Sequence, residues 1–440
     1  MKWYDSAFRK LPWEVLMIRF RIFVLVALLS VAATASAATK AIKFGKLWDG
    51  QKVINNAVVV VENDKIVSVT ANGKIPAGAQ VIDLSRFSGI PGMIDSHTHI
   101  TYYWSGEPGT SPRQQPRRNP AVTVVLSQEN GMKALEAGVT TLRDLNASNG
   151  MDIALRDLIN MGKLVGPRLF VSGAGLHGPR AGNRGGAPAP GTADTPENAK
   201  AATEDVIKSG ADWVKVFAST GSFEDVTGNQ TVSYEALKAI VDTAHAAGHK
   251  VAVHSYGPDA ARDAIRAGAD SLEHATDMDD ATIAEMVRKG IYYDPTIDHN
   301  EYYVENVDVY HFAPGSKEKL QDYIQRNFVT ASKAYKAGAK IVVGSDAVYN
   351  GFGLNMRELT WFMKMGMTPE QALKTCTVTP AEMLGMEKSL GQVAPGLFAD
   401  IVAVEGDPLK DPTVVLKNVR WVMKGGAVVV DKTKRAGSSN

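Results

Sequence analysis

Residues 251–275, VAVHSYGPDAARDAIRAGADSLEHA, hold two short apolar strands with a helix between them. The helix ends at Gly268, where glycine takes up left-handed backbone at little cost and lets the chain turn back. The same unit of amphipathic helix, glycine and β-branched strand recurs in both directions along the chain. It is seen in KALEAGVTTLRD (133–144), DVIKSGADWVKVFA (205–218), TAHAAGHKVAVHS (243–255), EMVRKGIYYDPT (285–296) and AYKAGAKIVVGSDA (334–347). The glycines of the set are Gly138, Gly210, Gly248, Gly268, Gly290 and Gly338. GIPGMIDSHTHI (89–100) and PRLFVSGAG (167–175) complete a set of eight strands. Strands alternating with helices predict a parallel sheet, and eight such units predict an α/β fold of the (β/α)8 TIM-barrel type. Thr195, Ser233 and Thr368 stand where helix N-caps are expected.

The flanks read differently. NAVVVVENDKIVSVTANGK (56–74) alternates as hairpin strands do, and FADIVAVEGDP (398–408) and VRWVMKGGAVVVD (419–431) behave alike. Residues 38–88 and 392–432 are therefore expected to pair into one small β-sandwich domain around a barrel at 89–391. Unpaired, they would leave strand edges exposed. Residues 1–37 stand apart as a signal peptide. Arg19 and Arg21 precede an apolar run at 22–33, and Ala35-Ser36-Ala37 fits a small-x-small cleavage site. MIRFRIFVLVALLSVAATASA reads as a complete signal from Met17, an alternative start, and predicts export to a bacterial periplasm or the medium. The run is short for a membrane span, so no stable span is expected after cleavage; an uncleaved anchor is the other reading. Cys376 is the sole cysteine, which excludes an intramolecular disulfide. A net charge of +1 without a basic stripe gives no reason to expect nucleic acid. With 45% hydrophobic and 22% charged residues the chain suits a soluble enzyme acting on a small molecule, and a homo-oligomer is the expected assembly.

Six side chains that can bind or bridge cations fall near the ends of these strands: His97, His99, Lys215, His254, His274 and Asp346. In a barrel those ends converge on one mouth. His97 and His99 share a strand face and can grip one ion. His254 and His274 occupy equivalent places in neighbouring strands; either one alone would read as a core histidine. Asp346 ends an apolar strand, where a carboxylate needs compensation by a metal or a proton, unless it caps the next helix. Lys215 lies among Val214, Val216 and Phe217. Burial lowers the pKa of an amine, and a neutral amine can add carbon dioxide to give a carbamate that bridges two cations; a lysine salt-bridged inside the barrel is the alternative. Together the set points to a two-metal hydrolase. Insertions at 101–120, 174–196 and 297–316 lie on the same face and read as walls or lids.

The PGMIDSHTH motif, the lysine strand, the two histidine strands, GSDA and the run TPAEMLGMEKSLGQVAPGLFADIVAV (379–404) occur in order within residues 39–430. In them the chain resembles the metal-dependent amidohydrolase superfamily. Within it, the chain is similar to the imidazolonepropionase-like group that includes Xaa-Pro and Xaa-Arg dipeptidase-like enzymes and ochratoxin-hydrolysing amidases. The resemblance implies a barrel with a β-sandwich built from both termini, two zinc ions and N6-carboxylated Lys215 as a bridging ligand. It implies His97, His99 and Asp346 on the first metal, His254 and His274 on the second, and a metal-bridging hydroxide as nucleophile. Asp346 would be the catalytic proton acceptor.

For the substrate, His177 and Tyr256 are candidates for contacting a carbonyl or carboxylate, and both are placed with Asp346 in the catalytic set. Arg180 is the candidate carboxylate partner, with Arg184, Arg113, Arg117 and Arg118 as further guanidinium groups of suitable geometry. Tyr102, Tyr103, Trp104, Tyr292 and Tyr293 suggest a partly apolar pocket. The expected reaction is amide hydrolysis of dipeptides or N-acyl amino acids, ochratoxin A-type amides included. Lactones, cyclic amides or organophosphates at the same metals are the alternative, and a non-catalytic binding protein on a decayed barrel is the reading of a different class.

Overall fold

The computed structural model describes residues 39–107, 110–114, 118–179 and 191–433. The expected signal peptide at 1–37, with Met17, lies outside them, as do Arg117, Arg180 and Arg184. No helix among the described residues is long and apolar enough to cross a membrane.

The N-terminal flank forms β1 (Lys40–Trp48), β2 (Val53–Glu62), β3 (Lys65–Ala71) and β4 (Gln80–Pro91). The barrel strands follow as β5 (Met93–Thr98), β6 (Val139–Asp144), β7 (Arg168–Val171), β8 (Leu176–His177), β9 (Trp213–Phe217), β10 (Lys250–Ser255), β11 (Ser271–His274), β12 (Tyr292–Asp294) and β13 (Lys340–Ile341). The C-terminal flank adds β14 (Ile401–Val404), β15 (Val419–Lys424) and β16 (Ala427–Asp431). All eight expected barrel strands are present; the two-residue β8 is an addition, pairing with the end of β9.

The barrel strands run parallel in the orders β5-β6-β7 and β13-β12-β11-β10-β9-β8. Asp212 N donates to Val171 O at 2.7 Å between β7 and β9, and Ser96 N to Val343 O at 2.8 Å between β5 and the chain after β13. Apolar side chains from strands and helices merge into one core, as a (β/α)8 barrel requires. The six helix-ending glycines all have positive φ, from +69° to +96°, so each turn uses a conformation that a side chain would strain. Thr195 and Ser233 cap their helices through Asn198 N and Ala236 N, and Thr368 forms a capping box with Gln371.

The two flanks pair as anticipated, in one seven-stranded sheet of order β16-β15-β14-β4-β1-β2-β3. The expected sandwich layers are halves of this continuous sheet. β4 turns the corner: its register against β1 jumps from Phe44↔Leu84 to Lys46↔Ser88, and Ser88 to Pro91 then also pair with β14. Extra residues on one strand bend it and raise its twist. The β3 edge returns to the chain before β14 through Ile66 N to Leu397 O (3.0 Å) and Ala399 N to Asp64 O (2.8 Å). Ile42, Phe44, Val59, Leu84, Ile401 and Trp421 fill the interior of the fold. Cys376 is buried, as a structural thiol. Of the insertions, residues 297–316 are largely helical, with Ile297–Glu305 and Val307–Tyr310.

Candidate metal centre

The strand ends deliver their polar residues to one buried point. His99 Nε2 lies 3.1 Å from Asp346 Oδ1, His97 Nε2 3.5 Å from the same oxygen, and His274 Nε2 4.0 Å from Asp346 Oδ2. Lys215 Nζ is 3.5 Å from His97 Nε2. The rings of His254 and His274 meet edge to face at 4.6 Å, and His97 and His274 stand 5.3 Å apart. All six expected donors are brought together, and all are buried. Donor atoms sharing one tetrahedral zinc at bonds of about 2.0–2.2 Å lie about 3.3–3.6 Å apart, close to the separations found around Asp346.

Electrostatics favours the ligand forms. Burial, then the charge of Lys215, lowers His97 to about 4, and burial holds His254 and His274 well below the usual imidazole value. These rings are neutral near pH 7, as metal ligation requires. His254 Nε2 is buried without a hydrogen-bond partner among the described residues. Burial opposes the charge of Asp346, but His299, His97 and His99 outweigh it and hold the carboxylate well below the ordinary range. Burial lowers the Lys215 ammonium from 10.5 to about 8. Buried imidazoles, a carboxylate and an amine whose ammonium form is destabilised by burial make a donor set that fits divalent cations.

Two strand rules are bent here. Consecutive strand residues face opposite sides, yet Glu273 and His274 both reach His97. His274 and Ala275 have φ of +71° and +47°, and this left-handed turn redirects the strand end. Asp346, with φ +48°, lies beyond the last paired residue of β13. Its position is held instead by Asp346 N to His97 O at 2.8 Å and His99 N to Ala347 O at 3.0 Å.

Beneath the donors lies a charged layer that was not anticipated. His97 Nδ1 is 3.0 Å from Glu273 Oε2, which leaves Nε2 to face the metal position. Glu273 Oε1 accepts from Arg143 Nη2 at 2.9 Å and Ser271 Oγ at 2.6 Å. Burial opposes the Glu273 charge, but Arg143 and His97 keep it below the normal range. Asp294 Oδ2 lies 4.0 Å from His97 Nδ1; burial and then Glu273 push its carboxyl well up. Asp95 accepts from Ser345 Oγ at 2.6 Å and Asn355 Nδ2 at 2.8 Å, which ties the first strand to the loop that carries Asp346. Gly344 is required in that loop, since a Cβ there would lie 1.8 Å from Asp294 Oδ2. His299, from the insertion helix, puts Nε2 3.2 Å from Asp346 Oδ2. The signal for Arg143, Glu273 and Asp294 was available: each is a charged residue in an apolar strand, the argument already applied to Asp346. His299 carried no such signal.

The substrate candidates separate. Tyr256 is buried, stacked on Tyr323 at 4.7 Å and on His254 at 5.1 Å, and lines the cavity above the metal residues. His177 sits on β8 with Nδ1 2.8 Å from Gly178 O, beside Phe217, and is not among the residues lining that cavity. Tyr102 stacks on His99 at 4.8 Å and also lines it. Tyr103 and Trp104 bond instead to Glu129 and Thr110. Tyr293 is buried with its hydroxyl on His274 O, and Tyr292 packs under Lys340.

The chain is similar to known proteins over most of its length. The sequence profile of the amidohydrolase family matches residues 90–429. Ochratoxinase of Aspergillus niger is 31% identical over 435 residues, covering 90% of this chain and 88% of that protein. The crystal structure of a Xaa-Pro dipeptidase with methionine bound in the active site has a TM-score of 0.80 at 31% identity, covering 89% of this chain and 99% of the other. Imidazolonepropionase of Streptomyces coelicolor is 24% identical over 384 residues, 80% of this chain and 86% of that one. The chain belongs to the amidohydrolase family and is a hydrolase acting on carbon–nitrogen bonds.

Proposed function

We propose that this chain hydrolyses the amide bond of dipeptides or N-acyl amino acids, ochratoxin-type amides included, at a pair of divalent cations, zinc first among them. The observation that carries the reading is the buried meeting of His97, His99, His254 and His274 with Asp346 and Lys215. The likeness to ochratoxinase and to a Xaa-Pro dipeptidase supports it. His97, His99 and Asp346 would hold one ion, His254 and His274 the other, with carboxylated Lys215 between them. Such ions supply activated water near neutrality and polarise a carbonyl oxygen.

The chain's own part is to position groups and move a proton. Glu273 fixes the tautomer and tilt of His97 through Nδ1. Asp346, held ionised by its imidazoles, accepts the proton of water as the oxygen bonds to the carbonyl carbon. It then gives that proton to the departing nitrogen as the C–N bond breaks, leaving one carboxylic acid and one amine. Tyr256 walls the cavity; His177 and Arg180 are proposed as substrate contacts. We also infer export, from the leader-like residues 17–37.

Elemental analysis of protein purified without chelator is expected to find two divalent ions per chain. Less than one ion with undiminished activity would sink the reading. Hydrolysis of N-acyl amino acids, lactones and phosphotriesters by the same preparation is expected to favour the amides.

The Lys215 bridge makes a pH prediction. Only the neutral amine adds carbon dioxide, releasing one proton as the N–C bond forms. Since the ammonium is lowered to about 8, its neutral fraction grows about tenfold per pH unit below that value and then levels off. Reactivation of metal-stripped enzyme at fixed dissolved carbon dioxide should follow the same curve. Lys215→Ala should lose metal and activity, with partial rescue by short carboxylates. A pH-independent reactivation rate would count against a carbamate.

A further inference from the structure

We propose that Phe223 is the side chain that meets the group flanking the scissile amide, and that Glu224 positions it by tying three loops together over the metal site. The nature of the selected group rests on the amide-hydrolysis reading above; the closure itself does not.

After β9 the chain makes a small hairpin of its own, through Thr220 N to Asn229 O at 2.8 Å and a close pair between Ser222 and Asp225 at 2.8 and 3.0 Å. Its tip is Phe223-Glu224. Phe223 has φ +56°, a conformation a bulky residue keeps only where its surroundings impose it. Glu224 supplies that constraint. Its Oε1 is 3.0 Å from Arg113 Nη1 in the first insertion, and its Oε2 accepts from Ala313 N at 2.9 Å and Ser316 Oγ at 3.0 Å in the third. The Arg113 guanidinium also lies over the rings of Phe223 and Phe312, at 5.2 and 5.8 Å. One carboxylate thus joins the hairpin to two walls that are far apart in sequence.

The hairpin rests on the metal site through Tyr256. A Cβ on Gly221 would lie 2.4 Å from Tyr256 Cγ, and Tyr256 is itself stacked on His254. The Phe223 ring packs 5.6 Å from Tyr303 and lines the cavity that contains the metal residues. That cavity encloses about 70 Å³, room for a few waters. Sites that bury an organic ligand commonly measure about 300–1,000 Å³. A dipeptide needs more room than this beside Asp346, and Phe223, as one of the walls, would meet the substrate as the cavity closes around it. An apolar ring selects an apolar neighbour.

Two variants of the metal-loaded enzyme, Phe223→Ala and Glu224→Gln, test this. In the first arm, metal capture by excess dipicolinate should be severalfold faster in both variants than in the wild type; unchanged rates in both would overturn the closure. In the second arm, kcat and KM are measured for Ala-Ala, Ala-Phe, Phe-Ala and Phe-Phe. Phe223→Ala should lower the preference for phenylalanine over alanine at one of the two positions by about tenfold, with metal content unchanged. A merely structural role would lower all four substrates alike, and unchanged preference at both positions would overturn the role of Phe223. If the wild type cleaves none of the four, the dipeptide part of the functional reading fails instead. The first arm still decides the closure, and the relative affinity of wild type and Phe223→Ala for phenylalanine against alanine, by calorimetry, decides the selectivity.

Discussion

Asp346→Asn is expected to lower turnover by about 10²–10⁴-fold, the usual worth of general acid–base catalysis, while keeping the fold and much of the metal. Asparagine has nearly the same shape and one carbonyl oxygen to offer in place of Oδ1, the atom facing His97 and His99. It cannot take a proton. The lost function is therefore proton transfer between water and the leaving nitrogen, and KM should move little. Variants of His97, His99, His254 or His274 should fail differently, by losing metal. Metal content and turnover measured together separate the two kinds of failure. Full metal with near-normal turnover in Asp346→Asn would show that another group moves the proton. His177 was the sequence candidate, but His299, 3.2 Å from Asp346, is better placed in the folded chain.

Arg143→Met is expected to destabilise the protein by about 3–5 kcal/mol, the range for breaking a buried ion pair from one side. Arg143 is fully buried, lies over Trp213 at 4.5 Å, and bonds Glu273 and Ser271, both at 2.9 Å. Methionine fills part of its volume and deprives Glu273, beside Asp294, of its strongest charge partner. The pH dependence follows from Glu273. In the native chain its folded pKa lies below its ordinary 4.5, so its stabilising contribution is present above 4.5 and is lost as pH falls below it. Without Arg143 the folded pKa of Glu273 rises, leaving His97 and Lys215 to lower it, so less stabilisation is present above 4.5. The deficit is thus largest near neutrality and shrinks toward acid. Urea unfolding at several pH values reads this directly. Arg143→Met/Glu273→Leu should recover much of the stability but not the metal affinity, because His97 then lacks its Nδ1 partner. A single variant as stable as the wild type would show that the pair contributes nothing.

Much of the architecture was legible because it is written locally. The 2-residue and 3.6-residue periods of apolar side chains mark strands and helices within a dozen residues, and each helix-ending glycine announces the next strand. The donors His97, His99, Lys215, His254, His274 and Asp346 could be placed on one mouth because parallel strands of a barrel all end there. The flanks read as β-rich and paired, but their union in one sheet turned by the β4 bulge could not be read: the bulge is defined by register against β1, not by any residue pattern.

The order of strands and helices and the identity of the residues at the strand ends follow from local periodicity and from the geometry common to parallel barrels. The side chains that support them are set by long-range packing. Glu273 meets His97, Arg143 meets Glu273 and Asp95 meets Ser345 across separations of 176, 130 and 250 residues. His299 and the Glu224 clamp belong to loops whose path no periodicity describes. The physical reason is that a buried charge must find its partner wherever folding brings one within about 3 Å, and at His274 and Asp346 the left-handed backbone that makes this possible breaks the alternation from which a sequence is read.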